Sequence, residues 1–179
     1  ESYAFKDVDK PEPKKGQVVI RVAACGVGYV DALVALGRYQ VKPPLPHTPG
    51  RELAGIVETV GEGVTNVKPG DRVMTMAANG FAEYALAQAA MVIPVPETLE
   101  FTEAASLPLN YLTASHGLKD RAALAEGETV LIFGAAGGVG SAAIQVAKAL
   151  GARVIAAAST EEKRAFTLAH GADEAIDTD

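Results

Sequence analysis

Apolar positions fall into two regimes along the chain. Over roughly the first hundred residues they come in short runs broken by glycine and proline; further on they form compact β-branched runs that alternate with helix-forming stretches. Residues 17–24 predict a strand with Arg21 turned outward, and residues 25–28 a tight bend. Residues 29–36 predict a short helix closed by Gly37, and residues 38–49, which contain Pro43, Pro44, Pro46 and Pro49, a loop too broken for regular structure. Strands are predicted over 53–60 (interrupted at Gly55), 72–76 and 81–87, with turns at 61–63 and 68–71. Short strands at close spacing predict a small β-barrel-like domain. Helical patterns then cover 102–107 and 110–123, separated by Pro108, so the domains are set at 1–100 and 101–179.

The second regime centres on residues 129–141. Val130 to Phe133 predicts a parallel strand buried on both faces, followed by a glycine loop, a helix over 141–150 with Ile144 and Ala147 on one face, and a second buried strand over 153–158. A helix over 161–170, closed by Gly171, and a third strand over 174–177 follow. Strand, glycine loop, helix, strand is a βαβ unit with an expected right-handed crossover, the first part of a doubly wound sheet. A complete sheet of that kind has about six strands in two halves, so the chain is expected to be part of a longer protein.

The loop reads Gly-x-x-Gly-Gly-x-Gly, and its place between strand and helix suits a dinucleotide. Gly134 can turn the chain off the strand, Gly137 or Gly138 can let backbone approach a pyrophosphate, and Gly140 can let the helix pack closely. With Ala135 and Val139 they form the expected cofactor loop, whose N–H groups and helix dipole would take the phosphates. The Gly-Lys-Ser/Thr ending of a nucleoside triphosphatase loop is missing. An NAD site usually has an acidic residue about 20 positions downstream, where this chain has Ala157 and Ala158. Ser159, Thr160 and Lys163 follow, supplying hydroxyl donors and a positive charge for a 2′-phosphate, so NADPH is favoured over NADH. Glu161 and Glu162 count against that pocket, and Ser159 also reads as the cap of a Ser-Thr-Glu-Glu capping box.

A net charge of −6 argues against nucleic acid or an anionic membrane as the main partner, and no run approaches the ~18 apolar residues of a membrane span. The single cysteine, Cys25, allows no internal disulfide and fits a cytoplasmic setting.

Five motifs in order, Pro49-Gly-Arg-Glu52-x-x-Gly55, Lys68-Pro-Gly-Asp-Arg-Val73, Gly80-Phe-Ala-Glu-Tyr84, Leu107-Pro-Leu-Asn-Tyr-Leu-Thr-Ala114 and the glycine loop, resemble the medium-chain dehydrogenase/reductase superfamily, on its zinc-independent quinone oxidoreductase (zeta-crystallin-like) branch. The resemblance implies a GroES-like β-barrel domain followed by the first part of a Rossmann domain, and commonly a homodimer or homotetramer. In the zinc enzymes of that superfamily, ligands stand at the positions of Gly28 and Arg51; here neither residue can hold zinc, and one cysteine cannot build the structural zinc lobe. Cys25 reads as a small buried apolar residue.

What remains is hydride delivery from NADPH to a small electrophile: a quinone, enal or enone. Around the former metal position the candidates are Tyr29, Asp31, His47 and Arg51. Asp31 and Arg51 are expected either to pair, orienting Arg51 toward a developing negative charge, or to be solvated surface residues. Tyr29 reads as pocket lining, proton donor or packing; His47 as a substrate contact or an exposed loop residue. Thr113 matches the family's threonine near the nicotinamide, or bonds backbone within its helix. An enoyl or 2-alkenal double-bond reductase shares the hydride step, and a non-catalytic NADPH-binding protein shares the cofactor site.

Overall fold

A computed structural model describes residues 4–77 and 79–178. The chain divides into two compact units at Pro108/Leu109, later than the expected 100/101. The difference comes from the first helix of the expected second domain: Ala104 and Ala105 are buried against Ala54 and Val95 of the preceding β-rich unit.

The first unit runs β1 (Gln17–Cys25), α1 (Tyr29–Ala35), β2 (Glu52–Val60), β3 (Arg72–Met76), β4 (Tyr84–Gln88), β5 (Val92–Pro94) and α2 (Phe101–Ala104). Its strands form one antiparallel sheet in the order β4-β1-β2-β3-β5. Only a 3₁₀ turn, Ala89–Met91, joins β4 to β5, although they are the outermost strands. That link spans at most about 14 Å, whereas four strand spacings laid flat would need about 19 Å, so the sheet must curl on itself. Val18, Ile20, Leu53, Val57 and Val73 fill the inside of the curl. Strand β2 continues through Gly55 instead of breaking there. A Cβ at Gly55 would collide with the Arg21 carbonyl oxygen, and the β1–β2 register shifts just beyond that crossing, so the glycine admits a close approach within a bulged ladder.

The second unit contains α3 (Leu107–Ser115, beginning just before the division), a π-helical turn at His116–Arg121, β6 (Thr129–Phe133), α4 (Gly138–Ala149), β7 (Arg153–Ala157), α5 (Glu161–Ala169) and β8 (Glu174–Ile176). Pro108 does not separate two helices. It lies in the first turn of α3, where its missing N–H leaves no acceptor wanting. Strands β6, β7 and β8 pair in parallel, in chain order. Ile132, Ala143, Ile144, Ala147, Val154 and Ala156 form the core between sheet and helix.

The β6 strand is buried on one face only. Ile132 is covered, but Leu131 is 45% and Phe133 73% exposed. Parallel crossovers follow the right-handed rule, and two of them between strands laid down in chain order would carry α4 and α5 to one side of the sheet, consistent with the bare opposite face.

Candidate functional site

In the second unit, β6 ends at Phe133 and the chain turns at once through Gly134, whose φ of 59° suits glycine. The Gly137 N–H donates to the Gly134 carbonyl at 2.9 Å, closing the loop, and α4 starts at Gly138. Ala135 is fully buried, with its N–H 3.3 Å from the Ala157 carbonyl at the end of β7. At Gly140 a Cβ would lie 2.7 Å from the Ala135 Cα, so only glycine lets α4 seat this closely on the loop. At Gly138 a Cβ would come within 2.9 Å of the Asn110 side chain, a contact from α3 that the sequence did not suggest. The N–H groups of Gly138, Val139 and Gly140 begin a twelve-residue helix and have no acceptor inside it. This cradle fits the pyrophosphate of a dinucleotide.

At the end of β7, Ala157 and Ala158 bring no carboxylate. Thr160, not Ser159, caps α5: its Oγ1 accepts from the Lys163 N–H at 3.2 Å. Thr160, Glu162, Lys163, Phe166 and Ala136 line a cavity of about 360 Å³. Lys163 thus shares a cavity with Ala136 of the loop, and exposed Ser159 is not among the lining residues. The Thr113 hydroxyl donates to the Leu109 carbonyl at 2.6 Å, the within-helix bond.

In the first unit a second cavity of about 360 Å³ brings together Asp31, His47 and Arg51 against Val34, Val41 and Met76. Tyr29 is not in its wall and is 80% exposed, so packing does not explain it. The expected Asp31–Arg51 ion pair does not form. Asp31 is buried and its Oδ2 accepts the Gly28 N–H at 2.9 Å, holding the carboxylate at the N-terminus of α1. The Arg51 guanidinium instead lies over the Tyr39 ring, 5.5 Å from its centroid.

The segment carrying Arg51 is fixed by backbone. The Gly80 N–H donates to the Gly50 carbonyl at 3.0 Å and the Phe81 N–H to the Pro49 carbonyl at 2.9 Å. Gly50 has a φ of 98° and a Cβ there would sit 2.6 Å from the Phe81 nitrogen, which explains why these two glycine motifs occur together. Cys25 lies behind this segment, its thiol donating to the Glu52 carbonyl at 3.1 Å. Burial pushes that thiol up to about 11, and the charges of Asp31 and Glu52 add to the effect. Among the described residues no three His, Cys, Asp or Glu side chains are grouped to hold a metal ion. The His116 ring pairs with Asp120 at 3.0 Å, and His170 stacks on Phe166.

Residues 14–97 match the family described as Alcohol dehydrogenase GroES-like domain, and residues 138–179 the family described as Zinc-binding dehydrogenase. Quinone oxidoreductase from Sus scrofa is 48% identical over 170 residues, 94% of this chain and 52% of that protein. The chain belongs to the medium-chain dehydrogenase/reductase superfamily. Within that superfamily it spans about half the length of the relatives it matches. A mycobacterial protein solved in complex with NADPH superimposes at a TM-score of 0.86, with 38% identity over 96% of this chain and 53% of its own. The CurK enoyl reductase gives a TM-score of 0.89 and 34% identity, covering 98% of this chain and 55% of its own. The curled antiparallel sheet is thus the superfamily's GroES-like fold, and the parallel sheet the start of its Rossmann-like domain.

Proposed function

We propose that this chain supplies the acceptor pocket and the phosphate-binding loop of a zinc-independent reductase that passes a hydride from NADPH to a quinone or a similar electrophilic carbonyl. The observation that carries this reading is Arg51: the chain places a guanidinium in the wall of an apolar cavity, at the position where zinc relatives have a ligand. Support for quinone as acceptor comes from the relatives named quinone oxidoreductase.

The Gly134–Gly140 cradle would hold the pyrophosphate, and Lys163 with the Thr160 hydroxyl a 2′-phosphate. A bound nicotinamide supplies the hydride. Val34, Val41 and Met76 keep water from the acceptor, while the Arg51 N–H groups stabilise negative charge developing on its oxygen. Asp31 acts at one remove, by capping the helix that carries Val34. Tyr29, outside the cavity, has no part in this step.

The CurK neighbour favours a second reading, reduction of an activated double bond by the same residues. Both are tested by following NADPH oxidation by the full-length protein with a small quinone, a short enal and an enoyl-CoA, with and without chelator, and again with NADH. Chelator-resistant quinone turnover preferring NADPH is expected; turnover of enoyl-CoA alone would establish the second reading, and chelator-sensitive activity would overturn both.

A further inference from the structure

The cavity of the first unit combines an apolar lining with a cation. Its walls are largely apolar, through Val34, Val41, Pro43 and Met76, yet it includes a guanidinium with no carboxylate within ion-pair distance among the described residues. Arg51's recorded contact is with the face of Tyr39, and a ring face uses none of the five N–H donors. Arg21, Arg153 and Arg164 stand near carboxylates; Arg38, Arg72 and Arg121, like Arg51, form no ion pair among the described residues, but Arg51 is the arginine that lines the cavity. Asp31 lines the same cavity and keeps its negative charge while its Oδ2 accepts the Gly28 N–H, so an anionic group seats on the Arg51 side, away from it; His47 adds an imidazole to the lining.

We infer that the acceptor carries an ionised oxyacid group, a carboxylate or sulfonate, on an apolar ring body, with Arg51 as its bidentate receptor and Tyr39 as the platform that holds Arg51 in place. This rests on the reductase reading above and narrows its substrate class. The physical case is complementarity. A carboxylate or sulfonate offers the pair of oxygens a guanidinium fork engages, and an apolar wall leaves that ion pair poorly screened and therefore strong. Tyr39 restricts the arginine side chain before the ligand arrives, which lowers the ordering cost of binding.

The test compares 1,4-naphthoquinone with its 2-sulfonate, using full-length protein and NADPH. Because the sulfonate alters the quinone's intrinsic reactivity, the readout is the ratio of the two kcat/KM values in each variant, divided by that in the wild type. Arg51→Met is expected to lower this ratio about tenfold or more, mainly through KM for the sulfonate, as loss of a charged hydrogen bond requires. Arg51→Lys should recover part of it. Tyr39→Phe should retain the ratio and Tyr39→Leu reduce it. An unchanged melting transition of the first unit, which holds both residues, shows in each variant that the fold has survived.

Equal losses on both quinones in Arg51→Met would overturn the inference while leaving the reductase reading in place, because Arg51 would then act only on the reacting oxygen. If neither quinone turns over, the reductase reading fails by itself, and calorimetric titration of the sulfonate still decides the subsite. Binding weakened by Arg51→Met supports it, and binding indifferent to the change overturns it.

Discussion

Asp31 shows how one side chain can be committed before any substrate arrives. Its position three residues after Gly28 is the N3 place of a helix start, and there the carboxylate satisfies a backbone N–H. That spacing is visible in the sequence; the Tyr39 contact is not, because its place over Arg51 depends on the path of an irregular proline-rich loop. Cys25 yields a direct prediction. With its thiol pushed from an ordinary 9.0 to about 11, it should alkylate with iodoacetamide at pH 8 about 100-fold more slowly than an unperturbed thiol, as its thiolate fraction dictates. Mass spectrometry over a time course measures this, and parity with free cysteine would contradict the burial that raises the pKa. Gly140 yields a second. Gly140→Ala forces a Cβ against the Ala135 Cα, and should cost about 1–3 kcal/mol of stability and weaken NADPH binding, read by thermal melts and fluorescence titration.

Most elements were legible, the short α1 and β8 among them, and strand β5 was not. Strands β1, β2, β3, β6 and β7 and helices α4 and α5 fall close to where apolar patterning puts them. Strand β5 escaped because three residues ending in proline carry no period, and its existence depends on pairing with β3. The second unit's elements are also tied electrostatically. Lys148 in α4 bonds both Asp173 oxygens at 2.8 Å, and the Val154 N–H donates to Asp173 at 2.7 Å, linking helix, β7 and the approach to β8. The Lys148 ammonium first, and the Val154 N–H second, hold the Asp173 carboxyl below its ordinary 3.8. A depressed carboxyl pKa contributes stability that is full above the unfolded value and is lost as pH falls through the folded one. Melting temperature should therefore drop below about pH 4, and Asp173→Asn should flatten part of that drop while lowering the melting temperature at pH 7. Parallel acid profiles for the two proteins would rule this out.

At the scale of the molecule, each unit has its own apolar core: one inside the curled sheet, the other between the parallel sheet and its helices. The change from glycine-broken strands to alternating strand and helix told this division from the sequence, but not its position, since α2 packs on Ala54 and Val95 of the first unit, in a small cluster apart from the curled-sheet core, through alanines that no periodicity distinguishes. Two cores predict two calorimetric transitions, with NADPH shifting only the one that reports the glycine-loop unit. At a hundredfold excess over Kd the shift corresponds to about 2.7 kcal/mol. A single transition displaced as a whole by NADPH would show instead that the units melt cooperatively.

The bare face of β6 makes this stretch, on its own, a candidate for sticking to copies of itself. Leu131 and Phe133 turn outward from a strand of high β-propensity, and until something lies against them they offer any neighbouring chain a ready adhesive flank. Self-association of this stretch on its own should therefore rise with protein concentration and be relieved by Phe133→Ser with little change in the melt.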